Sequence, residues 1–405
     1  MKALKNLSSN HWQHWPVKIF LPVIIVASFG CSSIHKAQYA EGTEMDLKRR
    51  LKAGENHLYS IQLSAGNFLH IKVMQYGIDV IAKASSANKQ FAEQFDTPTG
   101  ELDAEDIYLL SDSSKNYEIE ILPAQKYADP GDYVIKIIRN NIASENDKKW
   151  MAALAATQKA DRFRTKPETR QQSITQYESA MAQWAALKDT VQYAGAMRSM
   201  GFVYIREKNY EKAVEVFNQL LPLWNQVGDT RSAGFNLLII GRVYDLQKNY
   251  KTSLEYNLKS LEYWIKAKDA DQESFVLMNI GNLFAHLSDK QKAIDYFEQA
   301  MKKNELSERP SIKAVILRDY AAAMLSAGEN EKAVQLYEQS LKQWQATVNT
   351  PEEVRTAVLL AAYYEEKGKK EEAIRYYRKA LGIWQKMSEQ TEMNKIQALI
   401  DRLEK

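Results

Sequence analysis

Five tryptophans, Trp184, Trp224, Trp264, Trp344 and Trp384, stand one 40-residue step or two apart, and Asn304 takes the phase where the series skips. A fixed period of this length means one supersecondary unit copied along the chain. Such a unit cannot hide its apolar side alone, so each copy must lean on the next. The C-terminal part of the chain is therefore restricted to a stacked array. Arrays of this kind are usually binding surfaces rather than catalysts.

The copies align on a small residue: Ser173, Ala213, Ser253, Ala293, Ala333 and Ala373. Four residues later stand Tyr177, Phe217, Asn257, Phe297, Tyr337 and Tyr377. At plus eight come Met181, Leu221, Leu261, Met301, Leu341 and Leu381, and the tryptophans follow at plus eleven. These offsets place the side chains on one stripe of an α-helix, whereas a strand would scatter them over two faces. Twelve residues before the small residue lies another: Gly201, Gly241, Gly281, Ala321 or Ala361. Three residues beyond it stand Tyr204, Tyr244, Phe284, Met324 or Tyr364, which marks a second, preceding helix. Turn residues such as Lys208-Asn209, Lys248-Asn249 and Ser288-Asp289 separate the two. Each unit reads as a helical hairpin whose small residues let the helices approach while an aromatic fills the space beside them. The tryptophans, in phase with the apolar stripe, are expected in the core rather than as exposed stacking platforms.

The order Gly, Tyr, Ala, aromatic, Ala resembles the tetratricopeptide repeat, and Leu277–Phe284 with Gln291–Ala300 comes close to its consensus. The common unit has about 34 residues; the longer step here resembles the kinesin-light-chain-type variant. About six hairpins fit residues 146–388, with Pro310 and Pro351 opening two of them as prolines at helix starts do. The first hairpin is degenerate, since Asp161 replaces the glycine and Arg164 the tyrosine. Residues 389–405 read as an amphipathic capping helix through Met393, Ile396, Leu399, Ile400 and Leu403. The expected array is an all-α superhelix, an α-solenoid.

Residues 44–140 have a different period. Tyr59, Ile61 and Leu63 alternate with polar residues, as do Leu69, Ile71 and Val73, then Tyr117, Ile119 and Ile121, then Tyr133, Ile135 and Ile137. Short alternating strands with regular turns predict an antiparallel β-sandwich. The phrases Leu51–Tyr59, Gly77-Ile78-Asp79-Val80 and Pro130-Gly131-Asp132-Tyr133 resemble bacterial pre-peptidase C-terminal domains. In that group the sandwich often precedes tetratricopeptide repeats and a caspase-like CHAT domain. The residues after the repeats are too few for the caspase-like part, which is expected to be absent.

The N-terminus carries Lys2, Lys5 and Lys18, then an apolar run from Ile19 to Phe29 that is too short to span a bilayer, which needs about 20 residues. This is the pattern of a bacterial export signal over residues 1–30, with residues 31–43 left as a linker. Ala27–Ser33, around the lone cysteine Cys31, resembles a lipoprotein lipobox; Ser28 and Phe29 depart from its usual leucine and small residue. That resemblance implies diacylglyceryl attachment at Cys31. Ordinary cleavage after Gly30 and an uncleaved anchor are the alternatives. An unpaired thiol is unusual in a secreted protein, which favours lipidation. By family rule Ser32 would direct a lipoprotein to the outer membrane, facing the periplasm; without lipidation the protein would be periplasmic or secreted.

Little in the chain points to catalysis. A net charge of +3 without basic runs gives no nucleic-acid footprint. Phosphate-loop and zinc spacings are missing, so no cofactor and no metal are expected. His57 and His70 read as surface or strand-pairing residues. The acidic stretch Asp96, Glu101, Asp103, Glu105 and Asp106 lacks a calcium-loop pattern and reads as a solvated loop. The chain is expected not to be an enzyme.

In tetratricopeptide domains the first helix of each hairpin lines the concave groove. Carried over to this sequence, the groove positions are Arg198, Phe202 and Arg206; Phe235, Leu238, Arg242 and Asp245; Met278, Asn282 and His286; Arg318 and Leu325; and Arg355, Val358 and Glu365. Arginine forks suit carboxylates, and asparagine suits a peptide amide, so the expected partner is a protein or peptide. The expectation is an exported, lipid-anchored scaffold. The alternative is a non-catalytic regulatory or substrate-recruiting module that works with a separate CHAT-type peptidase or other envelope enzyme.

Overall fold

The computed structural model describes residues 35–39, 46–86, 92–95, 104–125, 128–305, 307, 309–345 and 350–405. The export segment, Cys31, Asp96, Glu101 and Asp103 lie outside them. The chain divides near Tyr244 into two compact units, residues 17–243 and residues 244–405.

The first unit opens with nine described strands in two sheets. They are β1 (His35–Tyr39), β2 (Asp46–Leu51), β3 (His57–Leu63), β4 (Asn67–Tyr76), β5 (Val80–Ser86), β6 (Ala92–Phe95), β7 (Glu105–Leu110), β8 (Lys115–Pro123) and β9 (Gly131–Ile142). One sheet runs β1-β3-β8-β5-β6 and the other β2-β9-β4-β7. All pairings are antiparallel except β1 with β3, which is parallel. The strand β1 falls within the segment 31–43 that the sequence reading leaves as a linker. The alternating residues face inward as expected: Ile61, Leu63, Ile71, Val73, Ile119, Ile121, Tyr133 and Ile135 share one core drawn from both sheets. Gly131 opens β9 where a Cβ would lie 2.6 Å from the Gly77 carbonyl carbon, so only glycine fits that crossing. Of the two settings expected for His57, surface or strand pairing, it takes the second, opposite Ile121 on β8. It is buried, with Nδ1 2.7 Å from the Tyr133 hydroxyl, which also meets the Tyr59 hydroxyl.

Helices α1 (Glu145–Phe163), α2 (Arg170–Ala186), α3 (Thr190–Arg206) and α4 (Tyr210–Val227) complete this unit, with most of α5 (Thr230–Leu246). The sandwich docks on the first hairpin through a continuous stack. His70 lies 2.6 Å from Asp106 Oδ1 and 4.3 Å from the Tyr108 ring, and Tyr108 lies 3.9 Å from Trp150 on α1. Trp150 in turn meets Trp184 edge-on at 4.8 Å and donates to Asp189 Oδ2 at 3.1 Å.

The second unit holds α6 (Tyr250–Ala267), α7 (Ala270–His286), α8 (Lys290–Asn304), α9 (Pro310–Ala327), α10 (Asn330–Trp344), α11 (Pro351–Glu366), α12 (Lys370–Met387) and the terminal α13 (Gln390–Glu404). The helices pack pairwise as α7 with α8, α9 with α10 and α11 with α12, and α13 closes the end against α12. The fold is a two-sheet β region followed by a tetratricopeptide-like α-solenoid.

The turns show how the sequence sets the period. The backbone is left-handed at Lys188, Lys208, Gly228, Lys248, Lys268, Ser288, Gly328, Gly368 and Ser388, so the helix stops recur every 20 residues or twice that. A left-handed residue ends a helix by turning the last N–H groups back onto its carbonyls. Asp189, Asn209, Asp229, Asn249, Asp269 and Asp289 follow, and each side chain caps the next helix by accepting a backbone N–H. Inside the hairpins the small residues carry the close approach. A Cβ on Gly201 would sit 2.9 Å from the Phe217 ring, and one on Gly281 3.1 Å from the Phe297 ring. Trp184, Trp224, Trp264 and Trp344 are buried, and Trp384 packs half-buried against the core of the second unit.

Candidate partner-binding faces

The first helices are more deeply enclosed than the sequence suggests. Every residue from Ser232 to Gly241 on α5 is buried, as is every residue from Val276 to Gly281 on α7. Several expected groove residues are therefore interior. Phe235, Leu238 and Met278 belong to the core, and Arg198 and Arg318 are each only 4% exposed. The Arg198 guanidinium lies over the Trp224 ring at 5.0 Å, with Nη1 3.5 Å from Ser232 Oγ. It braces α3 against α4 and α5 from inside the repeat.

The accessible set is smaller. In the first unit Phe202, Arg206 and Arg242 are half-buried. Phe202 meets Phe217 edge-on at 5.5 Å and Phe235 at 6.3 Å. Burial, then the neighbouring Arg164 and Arg170, push the Arg206 guanidinium down to about 10, against a weaker opposing pull from Tyr177.

In the second unit Asp245, Asn282, Leu325, Arg355, Val358 and Glu365 are half-buried and His286 is exposed, its ring parallel to Tyr250 at 4.6 Å. A polar row crosses three successive first helices. Asn282 on α7 donates Nδ2 to Asp319 Oδ2 at 3.0 Å. Arg318 on α9 donates Nε to Asp319 Oδ1 at 2.9 Å and Nη1 to Glu352 on α11. Arg355 Nη1 lies 4.0 Å from Glu352 Oε1 at the accessible end of the row. Burial opposes the Arg318 charge, but Asp319 and Glu352 outweigh it and hold the guanidinium above its ordinary range. Arg355 is held below its ordinary range, by burial first and then by Arg318, with Glu352 and Asp319 opposing. Glu365 accepts from the Tyr377 hydroxyl at 3.1 Å and from Arg402 at 2.6 Å, so it ties α11 to α12 and α13.

The structure thus joins Asn282, Arg318 and Arg355 in one network and leaves His286 apart from it. Sequence reasoning missed Asp319 and Glu352, the acids that neutralise the row. The adjacency of Arg318 and Asp319 is the one sequence signal for them.

The tetratricopeptide repeat family model matches residues 235–304 and 313–386. The chain carries tetratricopeptide repeats there, in agreement with the hairpin geometry. No curated protein matches the chain. Among solved structures, BtubC (BKLC) from P. vanneervenii is 14% identical with a TM-score of 0.45, over 61% of this chain and 93% of that one. The apo form of the quorum sensor NprR from B. thuringiensis is 13% identical with a TM-score of 0.46, over 63% and 69%. PilF of Pseudomonas aeruginosa is 17% identical with a TM-score of 0.40, over 62% and 99%.

Proposed function

We propose that this protein is a non-catalytic scaffold that binds a protein or peptide partner through the first-helix faces of its repeats. The observation that carries this reading is the row Asn282, Asp319, Arg318, Glu352 and Arg355, which crosses α7, α9 and α11. Arg318, Asp319 and Glu352 satisfy one another and hold the half-buried Asn282 and Arg355 in fixed positions at the two ends of the row. There an amide and a guanidinium suit the carbonyls and carboxylates of an extended peptide. Half-buried Val358 and Leu325 supply apolar contact on the same first helices. The accessible residues assigned to partner contact are Phe202 and Arg242 on the first unit and, separately, Asn282, His286 and Arg355 on the second, while Arg198 and Arg318 position their neighbours.

The same proposal places the protein outside the cytoplasm, carried by the export segment and anchored by lipid at Cys31, with the pre-peptidase-like sandwich nearest the membrane. Among the described residues no helix is long and apolar enough to cross a membrane. Stable anchoring needs more than one acyl chain, which a lipoprotein N-terminus provides.

The test is affinity capture from envelope extracts with wild type and with a Phe202→Ala, Arg242→Glu, Arg355→Ala variant. Specific partners should be lost from the variant. Equal recovery of every partner would remove the binding face from consideration. Mass spectrometry of the native N-terminus should find a diacylglyceryl cysteine at Cys31; an unmodified terminus would end the anchor proposal.

A further inference from the structure

The first hairpin departs from the repeat pattern at two points, Asp161 and Arg164, and Arg164 falls near two further arginines. Arg164 stands where the later copies have Tyr204, Tyr244, Phe284, Met324 and Tyr364, and Asp161 stands where they have glycine or alanine. Arg170 opens α2 after the short Pro167–Thr169 turn, and Arg206 lies in the last turn of α3. Replacing an aromatic that packs with a cation that must be solvated or paired weakens a repeat, so it needs a compensating role.

The three arginines form one cluster. Arg170 Nη1 donates to Glu207 Oε1 at 2.9 Å and reaches the Arg206 backbone carbonyl at 3.5 Å. Arg164 Nε lies 3.3 Å from Asp161 Oδ1, which also accepts from the Tyr177 hydroxyl. The Arg164 and Arg170 side chains are 16% and 17% exposed. Among the described residues the Arg206 guanidinium has no ion pair and no side-chain hydrogen bond. The Nε atom of Arg170 is shielded from solvent and makes no hydrogen bond, and that of Arg164 meets Asp161 only as an ion pair, without an aligned hydrogen bond. Three guanidinium groups against two carboxylates leave one positive charge uncompensated in a half-buried site. Two of the arginines sit at helix C-termini, where the helix dipole favours a cation, but a dipole worth about half a charge does not offset their mutual repulsion.

We propose that Arg164, Arg170 and Arg206 form a binding site for an oxyanion, a phosphate or carboxylate group that completes the charge balance of this cluster. Guanidinium forks present paired N–H donors that match such oxygens. A ligand oxyanion pairs with Arg206 and with the parts of the Arg164 and Arg170 side chains that reach solvent. The site lies at the helix ends beside the α1–α2 turn, away from the Arg355 row, and does not depend on the partner reading.

The test uses the purified full chain. Inorganic phosphate and citrate are titrated separately against sodium chloride at matched ionic strength, by thermal unfolding and calorimetry. At least one should raise the unfolding temperature beyond chloride and bind stoichiometrically. A response to phosphate alone assigns a phosphate-type ligand, and a response to citrate alone a carboxylate. Arg206→Gln should weaken the binding about tenfold, since a charge-assisted hydrogen bond is lost, while Arg206→Lys should retain part of it. The Phe202, Arg242, Arg355 variant should bind the anion as wild type does, which separates this site from the partner face. The proposal fails if neither anion exceeds chloride in wild type, or if Arg206→Gln binds as wild type does.

Discussion

Arg318 and Arg206 both sit on first helices, and their surroundings treat them in opposite ways. Arg318 is almost fully enclosed yet is held above its ordinary range, because Asp319 and Glu352 face it. Arg206 is less enclosed yet is pushed down to about 10, because burial and the cations Arg164 and Arg170 act on it together. Depth alone therefore does not decide whether a charge suits its place; the balance of charges around it does. The Arg318 row is complete in itself and holds three helices in register. The Arg206 cluster is incomplete, and that is why it is assigned a ligand.

The sharpest way to break this comparison is Asp319→Ala. It leaves Arg318 enclosed with Glu352 alone and releases Asn282. Uncovering a buried charge of this kind costs about 3 kcal/mol, read by urea unfolding; a loss well under 1 kcal/mol would show that the row is not a tight network. Arg198→Ala comes next, removing a buried guanidinium from the Trp224 face at a cost of about 1–2 kcal/mol, with Trp224 fluorescence reporting the change.

Lys208 and Lys248 adopt the left-handed backbone conformation that glycine takes at Gly228 and Gly328. Replacing either with glycine relieves a strain of about 1 kcal/mol, so both variants should unfold at higher urea. Lys208 lies two residues from Arg206, so its variant should gain more than Lys248→Gly at low salt, and equally at high salt. A salt-independent difference would contradict the charge imbalance. The smallest effect is that of Arg206→Gln without anion. The fold disfavours the charged guanidinium, so losing it should stabilise by about 0.5 kcal/mol in dilute buffer and less as salt rises. A loss of stability instead would mean that Arg206 has an unrecognised internal partner.

Much of the fold was legible because repetition amplifies weak signals. One tryptophan at helical phase says little, but five in register define the hairpin stripe, and four of them are buried in the structure. The small residues at Gly201 and Gly281 meet Phe217 and Phe297 as their spacing implies. In the sandwich, alternation placed Ile61, Ile71, Ile119 and Ile135 in one core. The candidate site was legible only in part. Arg198 and Arg318 look like surface groove residues in a linear reading, yet both are interior. His57 stands in strand pairing opposite Ile121 as expected, but its contact with the Tyr133 hydroxyl is not visible in the sequence. Each unseen contact involves a residue distant in sequence: Glu352 for Arg318, Trp224 for Arg198 and Tyr133 for His57. Periodicity carries no record of such pairs.

The sequence by itself determined the element types and their period, because turns, caps and apolar spacing act over a few residues. The 20-residue recurrence of left-handed stops and Asx caps is written directly in the chain. Only the tertiary structure decided which arginines are internal struts and which keep an unbalanced charge. That outcome depends on where carboxylates from other helices come to lie, and Coulomb energies follow distance in space rather than along the chain.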